Sequence, residues 1–210
     1  MRTIWIRTLV IAVVGIMLGG FTSCVFQNGD LVLNDMVCVN IEETQTDGSF
    51  STFVVVDDFK EALEKKLEEN GKSAKDVKSI HMVSAVFKTL KVTPHDWNVT
   101  GDISIARQDT EGGPITDGPA LLVSFDDQSL KALKGKPTDA DLVADGVEVV
   151  NRALEALLNG EDPRMILQVD NESVTPTPSE SDPMSFTTRV CVNFQMVVDL
   201  GNKGGQNKPR

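Results

Sequence analysis

The sequence predicts a mainly β domain: an antiparallel β-sandwich or strongly curved sheet of about seven strands, with two helical insertions. Three observations carry this expectation. Most apolar runs alternate with polar residues at period two, the pattern of an antiparallel sheet with one wet face. No repeating strand–helix–strand rhythm marks a parallel sheet. Only two segments show helical spacing of their apolar residues. The alternative arrangement is α+β, a single antiparallel sheet with both helices on its apolar face.

The elements follow in chain order. Residues 24–35 are a short tether, and residues 36–200 form the single domain. Val37, Val39 and Ile41 alternate with Cys38, Asn40 and Glu42; a turn-rich Thr46-Asp47-Gly48 precedes a second run holding Phe53 and Val54-Val55-Val56, and the pair has the signature of a hairpin. A helix follows, capped by Asp57 or Asp58, with Phe59, Ala62, Leu63 and Leu67 on one stripe and Gly71 as its left-handed stop. Residues 80–92 are apolar on both parities, which predicts burial on two faces or a bulge. After a turn at Pro94-His95-Asp96, Trp97, Val99, Ile103 and Ile105 alternate with Asn98, Thr100, Asp102 and Ser104.

Residues 109–119, rich in glycine and proline, are expected as a loop, and 121–125 as a short strand. One or two helical turns are expected over 127–134. A longer helix is expected to start at Pro137-Thr138-Asp139 and to run through Val143, Val147, Val150, Leu154, Leu157 and Leu158 to Gly160. A strand at 165–169, a proline-broken polar loop at 171–183 and the longest alternating run, 184–200, complete the domain. The tail, residues 201–210 (GNKGGQNKPR), has the composition of a disordered segment.

The chain opens MRTIWIRTLVIAVVGIMLGGFTSC. Arg2 and Arg7 precede an apolar run from Leu9 to Leu18, and glycines and small residues follow, the anatomy of an export signal. The run is shorter than the roughly 20 residues a spanning helix needs. Its end, Phe21-Thr22-Ser23-Cys24, resembles the lipobox of bacterial lipoproteins, although Phe21 stands where Leu, Val or Ile is usual. The resemblance covers only about the first two dozen residues. It implies removal of residues 1–23, attachment of diacylglycerol to Cys24, acylation of the new amino terminus and a lipid anchor to a membrane. Without lipidation the segment is a plain signal peptide or an uncleaved anchor. Val25 and Phe26 replace the aspartate that retains some lipoproteins at the inner membrane, so the expected location is the bacterial cell envelope, with the outer membrane favoured. The body also resembles other β-rich envelope lipoproteins in pattern, a likeness that brings no functional residues with it.

Composition excludes several classes. The chain has 20 basic and 31 acidic residues, and without Arg2 and Arg7 the net charge is about −13. Such a body does not attract nucleic acid or an anionic membrane surface. Tyrosine is absent and Trp97 is the only tryptophan beyond the signal, which argues against aromatic stacking platforms. Export places the domain where disulfides persist.

The tetrapeptide VCVN occurs at 37–40 and again at 190–193. In both copies the valines take the apolar parity, so Cys38 and Cys191 should point to the outer face. First and last strands of a domain often lie side by side. If these two pair, a cross-strand disulfide Cys38–Cys191 becomes accessible, and the loop-entropy argument assigns it on the order of 4–5 kcal/mol. The alternative is a good strand tetrapeptide used twice, with two free thiols.

Neither histidine, His81 or His95, sits in a zinc-ligand spacing. The acidic run Asp139–Asp145 departs from a calcium loop because Val143 takes a ligand position; helix capping explains it better. No metal or cofactor is expected. Two functions remain: a non-enzymatic envelope lipoprotein that binds a protein partner or small ligand or supports envelope structure, and an exported hydrolase-like enzyme. The second requires Asp96, Asp102 or Asp126 to converge near His95 in a pocket.

Overall fold

The computed structural model describes residues 25–27, 30–56 and 59–200. The signal-like segment, Cys24, the capping residues Asp57 and Asp58 and the tail 201–210 lie outside the described residues. Nine strands occur among the described residues, two of them very short: β1 (Val25–Gln27), β2 (Asp30–Gln45), β3 (Phe50–Val56), β4 (Val77–Thr93), β5 (Asn98–Gln108), β6 (Ile115–Ser129), β7 (Thr138–Asp139), β8 (Arg164–Thr175) and β9 (Met184–Asp199). Two helices, α1 (Phe59–Glu69) and α2 (Ala144–Leu158), follow β3 and β7. The strands form two antiparallel sheets, ordered β1-β2-β9-β4-β7 and β3-β8-β5-β6. The protein is thus a mainly β, sandwich-like structure with two helices.

The period-two pattern sets which side of each strand is buried. In β9 the even-numbered residues Met184 to Val198 are buried and the odd-numbered ones face outwards. Both edges of β9 are occupied: β2 runs beside it in unbroken register from Asp30↔Asp199 to Gln45↔Met184, and β4 covers the other side. Cys38 stands directly opposite Cys191, and the two form a disulfide with a Cα–Cα distance of 4.0 Å. The same outer face carries a polar ladder: Gln195 donates to Asn34 Oδ1 at 3.1 Å, Asn193 to Ser84 Oγ at 2.8 Å and Arg189 Nε to Asn40 Oδ1 at 3.0 Å.

Several expectations are corrected. Residues 30–35, read as tether, are the start of β2, because Leu31, Val32 and Leu33 are buried against β9 and its neighbours. Residues 37–56 are not a hairpin: β2 pairs with β1 and β9 whereas β3 pairs with β8, so Thr46-Asp47-Gly48 carries the chain from one sheet to the other. β6 already starts at Ile115, inside the expected loop 109–119, and the expected helical turns over 127–134 begin as strand. β8 extends to Thr175, into the expected loop at 171–183. The two-sided apolar run in β4 is resolved by bulges, with register shifts between Met82/Ser84 and Thr89/Lys91.

α2 starts at Ala144, not at residues 137–139, and neither Asp139 nor Asp141 caps it; its N-cap is Val143. Residues 138–143 instead strap the two sheets together. Thr138 and Asp139 pair with Phe87 and Val86 of β4, and Ala140 N donates to Ala85 O. Leu142 then bridges Val123 of β6, and Val143 N donates to Leu122 O. Satisfied backbone groups outweigh helix propensity here. A tight approach then seats the helix: a Cβ at Gly146 would lie 2.5 Å from Leu121 O.

The helices fill one end of the space between the sheets. Phe59 of α1 meets Phe194 with ring centroids 6.1 Å apart, and Leu63 and Leu67 are buried beside it. Val149, Val150, Ala153, Leu154 and Leu157 of α2 join the same core. Asn151 Oδ1 accepts the Met82 N–H, a backbone donor at the β4 bulge, at 2.7 Å. Arg152 grips Asp117 of β6 with two hydrogen bonds, at 2.5 and 2.9 Å, which hold the Asp117 carboxyl below the usual carboxylate range. No helix among the described residues is long and apolar enough to cross a membrane.

Replacing both Cys38 and Cys191 by alanine should lower the free energy of unfolding by about 2–5 kcal/mol, measured by urea denaturation of the oxidised parent and the variant. An unchanged midpoint and slope would mean that the inter-strand hydrogen bonds alone hold β2 against β9.

Candidate functional site

At the end opposite the helices the sheets border a half-open cavity of about 280 Å³. Its walls are mostly apolar: Ile41, Phe186 and Val190 from one sheet, and Val99, Ile103 and Val169 from the other. The inward side chains of β9 mark the division. Phe194 meets α1, whereas Phe186, Thr188 and Val190 face the cavity. The strap of residues 138–141 and the end of β6 border it, contributing Asp126, Gln128, Asp139 and Asp141. Those three aspartates are exposed, and no lysine, arginine or histidine lines the cavity.

A row of four residues crosses the second sheet at the cavity, and three of them, Phe50, Phe125 and Asn171, line it. Phe50 of β3 pairs with Asn171 of β8, Asn171 with Gly101 of β5, and Gly101 with Phe125 of β6. Gly101 is required by close approach: a Cβ there would lie 2.2 Å from Asp170 O and 2.9 Å from the Asn171 Cα, both backbone atoms. The strand registers shift on both sides of this glycine. Next to it, β6 is irregular at Asp127, whose φ of 45° is a left-handed conformation that aspartate tolerates. Asn98 donates to Asp127 Oδ1 at 2.8 Å and Asp127 N donates to Thr100 Oγ1 at 2.9 Å, which hold the irregular segment in place. Bulges of this kind cluster beside functional sites because they end regular pairing and re-aim side chains.

Asn171 is the chemically unusual member of the row. It is 4% exposed, and both its Oδ1 and its Nδ2 are buried without a hydrogen-bond partner. They are the only such side-chain atoms among the described residues. A buried amide donor or acceptor left unpaired costs about 1–3 kcal/mol. The opposite wall carries a second polar group, the Thr188 hydroxyl, 3.4 Å from the hydroxyl of buried Thr89.

The sequence-derived candidates lie elsewhere. Cys38 and Cys191 occupy the outer face of the other sheet. His95 Nε2 is 2.7 Å from Asp182 Oδ2 and packs edge-on against Trp97, at an exposed turn. Asp96 accepts from Ser129 Oγ and Lys131 N, an end-of-strand cap. Asp102 accepts from Ser124 Oγ at 2.6 Å and Asp126 from Thr100 Oγ1 at 3.3 Å, both cross-strand bonds on β5 and β6. Asp102 and Asp126 do share a shallow surface cleft with Glu172, but His95 is not part of it. The convergence of Asp96, Asp102 and Asp126 on His95 that an enzyme reading required is absent from the described residues, and no group of three potential metal ligands occurs among them.

Asn171 was hidden in what reads as a polar loop. Parity could have found it: Met165, Leu167, Val169 and Asn171 fall on the same side of one strand, and the first three are plainly core residues.

Comparison with models of known protein families finds no match, and no curated protein sequence matches the chain.

Replacing Asn171 by leucine, which is similar in size and makes no hydrogen bonds, should raise the unfolding free energy of the ligand-free protein by about 1–3 kcal/mol. Chemical denaturation checks this; a loss of similar size would instead show that the carboxamide is paired in solution.

Proposed function

We propose that this protein is a non-enzymatic, lipid-anchored lipoprotein of the bacterial cell envelope, and that its β-sandwich binds a small apolar ligand between the sheets. The observation that carries the binding half is the cavity itself: apolar walls around one buried, unpaired carboxamide at Asn171. Ligand sites are apolar concavities with a few placed polar groups, and an unsatisfied buried group in a native protein is rare enough to call for a partner. At about 280 Å³ the cavity is close to the lower end of the usual size range for ligand pockets. The anchoring half rests on the segment ending Phe21-Thr22-Ser23-Cys24 and on the acidity of the body. Two or more acyl chains at Cys24 hold a protein on a bilayer stably, where one chain binds only marginally.

The intact mass of protein extracted from membranes should correspond to a chain starting at Cys24 plus its acyl groups, and Cys24→Ala should move the protein out of the membrane fraction. A membrane-bound chain of unlipidated mass would overturn the anchor. For the binding half, a neutral solvatochromic dye should bind the folded protein at one site. Val169→Phe, which fills the cavity, should abolish that binding; dye binding unaffected by this variant would place it elsewhere.

A further inference from the structure

We infer that the cavity selects a neutral, flat apolar molecule bearing an amide-type edge, a C=O acceptor beside an N–H donor as in a lactam, and that Asn171 reads this edge. The inference rests on the binding role proposed above and adds the chemistry of the ligand. The Asn171 carboxamide presents one acceptor and one donor in a single plane, and both lack a partner. The group that satisfies both at once is another amide edge, through two parallel hydrogen bonds.

Other ligand classes fit less well. A pure hydrocarbon leaves both amide atoms unpaired. A carboxylate offers only acceptors, so it leaves Asn171 Oδ1 facing a negative charge. It would also meet Asp126, Asp139 and Asp141 at the border, with no lining cation to offset them. The flat shape follows from the walls. Phe50 and Phe125 stand at the two ends of the row that holds Asn171. Both phenylalanines line the cavity. The Thr188 hydroxyl on the facing sheet can take one further polar atom.

The test uses the full chain in detergent and three bicyclic probes of nearly equal size: 2-quinolinone, naphthalene and 2-naphthoate. Affinities are read by ligand-observed NMR titration. 2-Quinolinone should bind roughly tenfold or more tightly than either of the others, the worth of two buried hydrogen bonds. Asn171→Leu should bring 2-quinolinone and naphthalene to about equal affinity while naphthalene binding persists, which shows that the variant is folded and its cavity open. Equal binding of 2-quinolinone and naphthalene to the parent protein would overturn the role of Asn171 and leave the cavity as a ligand site. Preference for 2-naphthoate would overturn the assigned charge class. Binding of none of the three to the parent, with ordered water alone pairing Asn171, would overturn both this inference and the binding role beneath it.

Discussion

The pairing of β9 on both of its edges is the constraint on which the rest of the structure depends. A central strand has no freedom of register, because a slip by one residue moves every buried side chain to the wet face. In β9 such a slip would expose Phe194, Met196 and Val198 and bury Arg189 and Gln195. β2 and β4 are held to the same register from opposite sides. Cys38–Cys191 adds a covalent pin in the middle of the β2–β9 ladder, between residues 153 apart in sequence. With this sheet set, the second sheet has one face to cover, and the polar ladder on the outer face stays in water.

The cavity is a consequence of how unevenly the space between the sheets is filled. At one end α1 and α2 insert Phe59, Leu63, Leu154 and Leu157, large side chains that close the gap. At the other end the row through Asn171 and Gly101 supplies one short polar side chain and one hydrogen atom. Two phenylalanines beside them do not make up the missing volume. Protein cores otherwise pack to crystal density, so an apolar opening of this size is a departure that needs a cause. Gly101 cannot add a side chain to this end, because the Asp170 and Asn171 backbone already lies against it.

Negative charge recurs in this molecule at two scales. A body this acidic has no electrostatic attraction to an anionic bilayer surface, so the proposed acyl anchor, not charge, would hold it in place. The same sign recurs at the cavity border in Asp126, Asp139 and Asp141. The strap that carries two of these aspartates also joins the sheets, so the same short segment that shapes the fold places charge at the cavity border.

The sequence by itself determined the mainly β class, the two helices and the buried parity of β2, β5 and β9, because period two and period 3.6 are local properties that burial turns into structure. It also placed the two VCVN cysteines on an outer face. Tertiary structure alone decided which strands are neighbours. The 37–56 segment looks like a hairpin until β9 claims β2 and β8 claims β3. The start of α2 was likewise decided at a distance, by backbone partners on Ala85 and Leu122 that local propensity does not see. The cavity belongs to the same category. Phe50, Gly101, Phe125 and Asn171 lie far apart in the chain, and only sheet register sets them in one row.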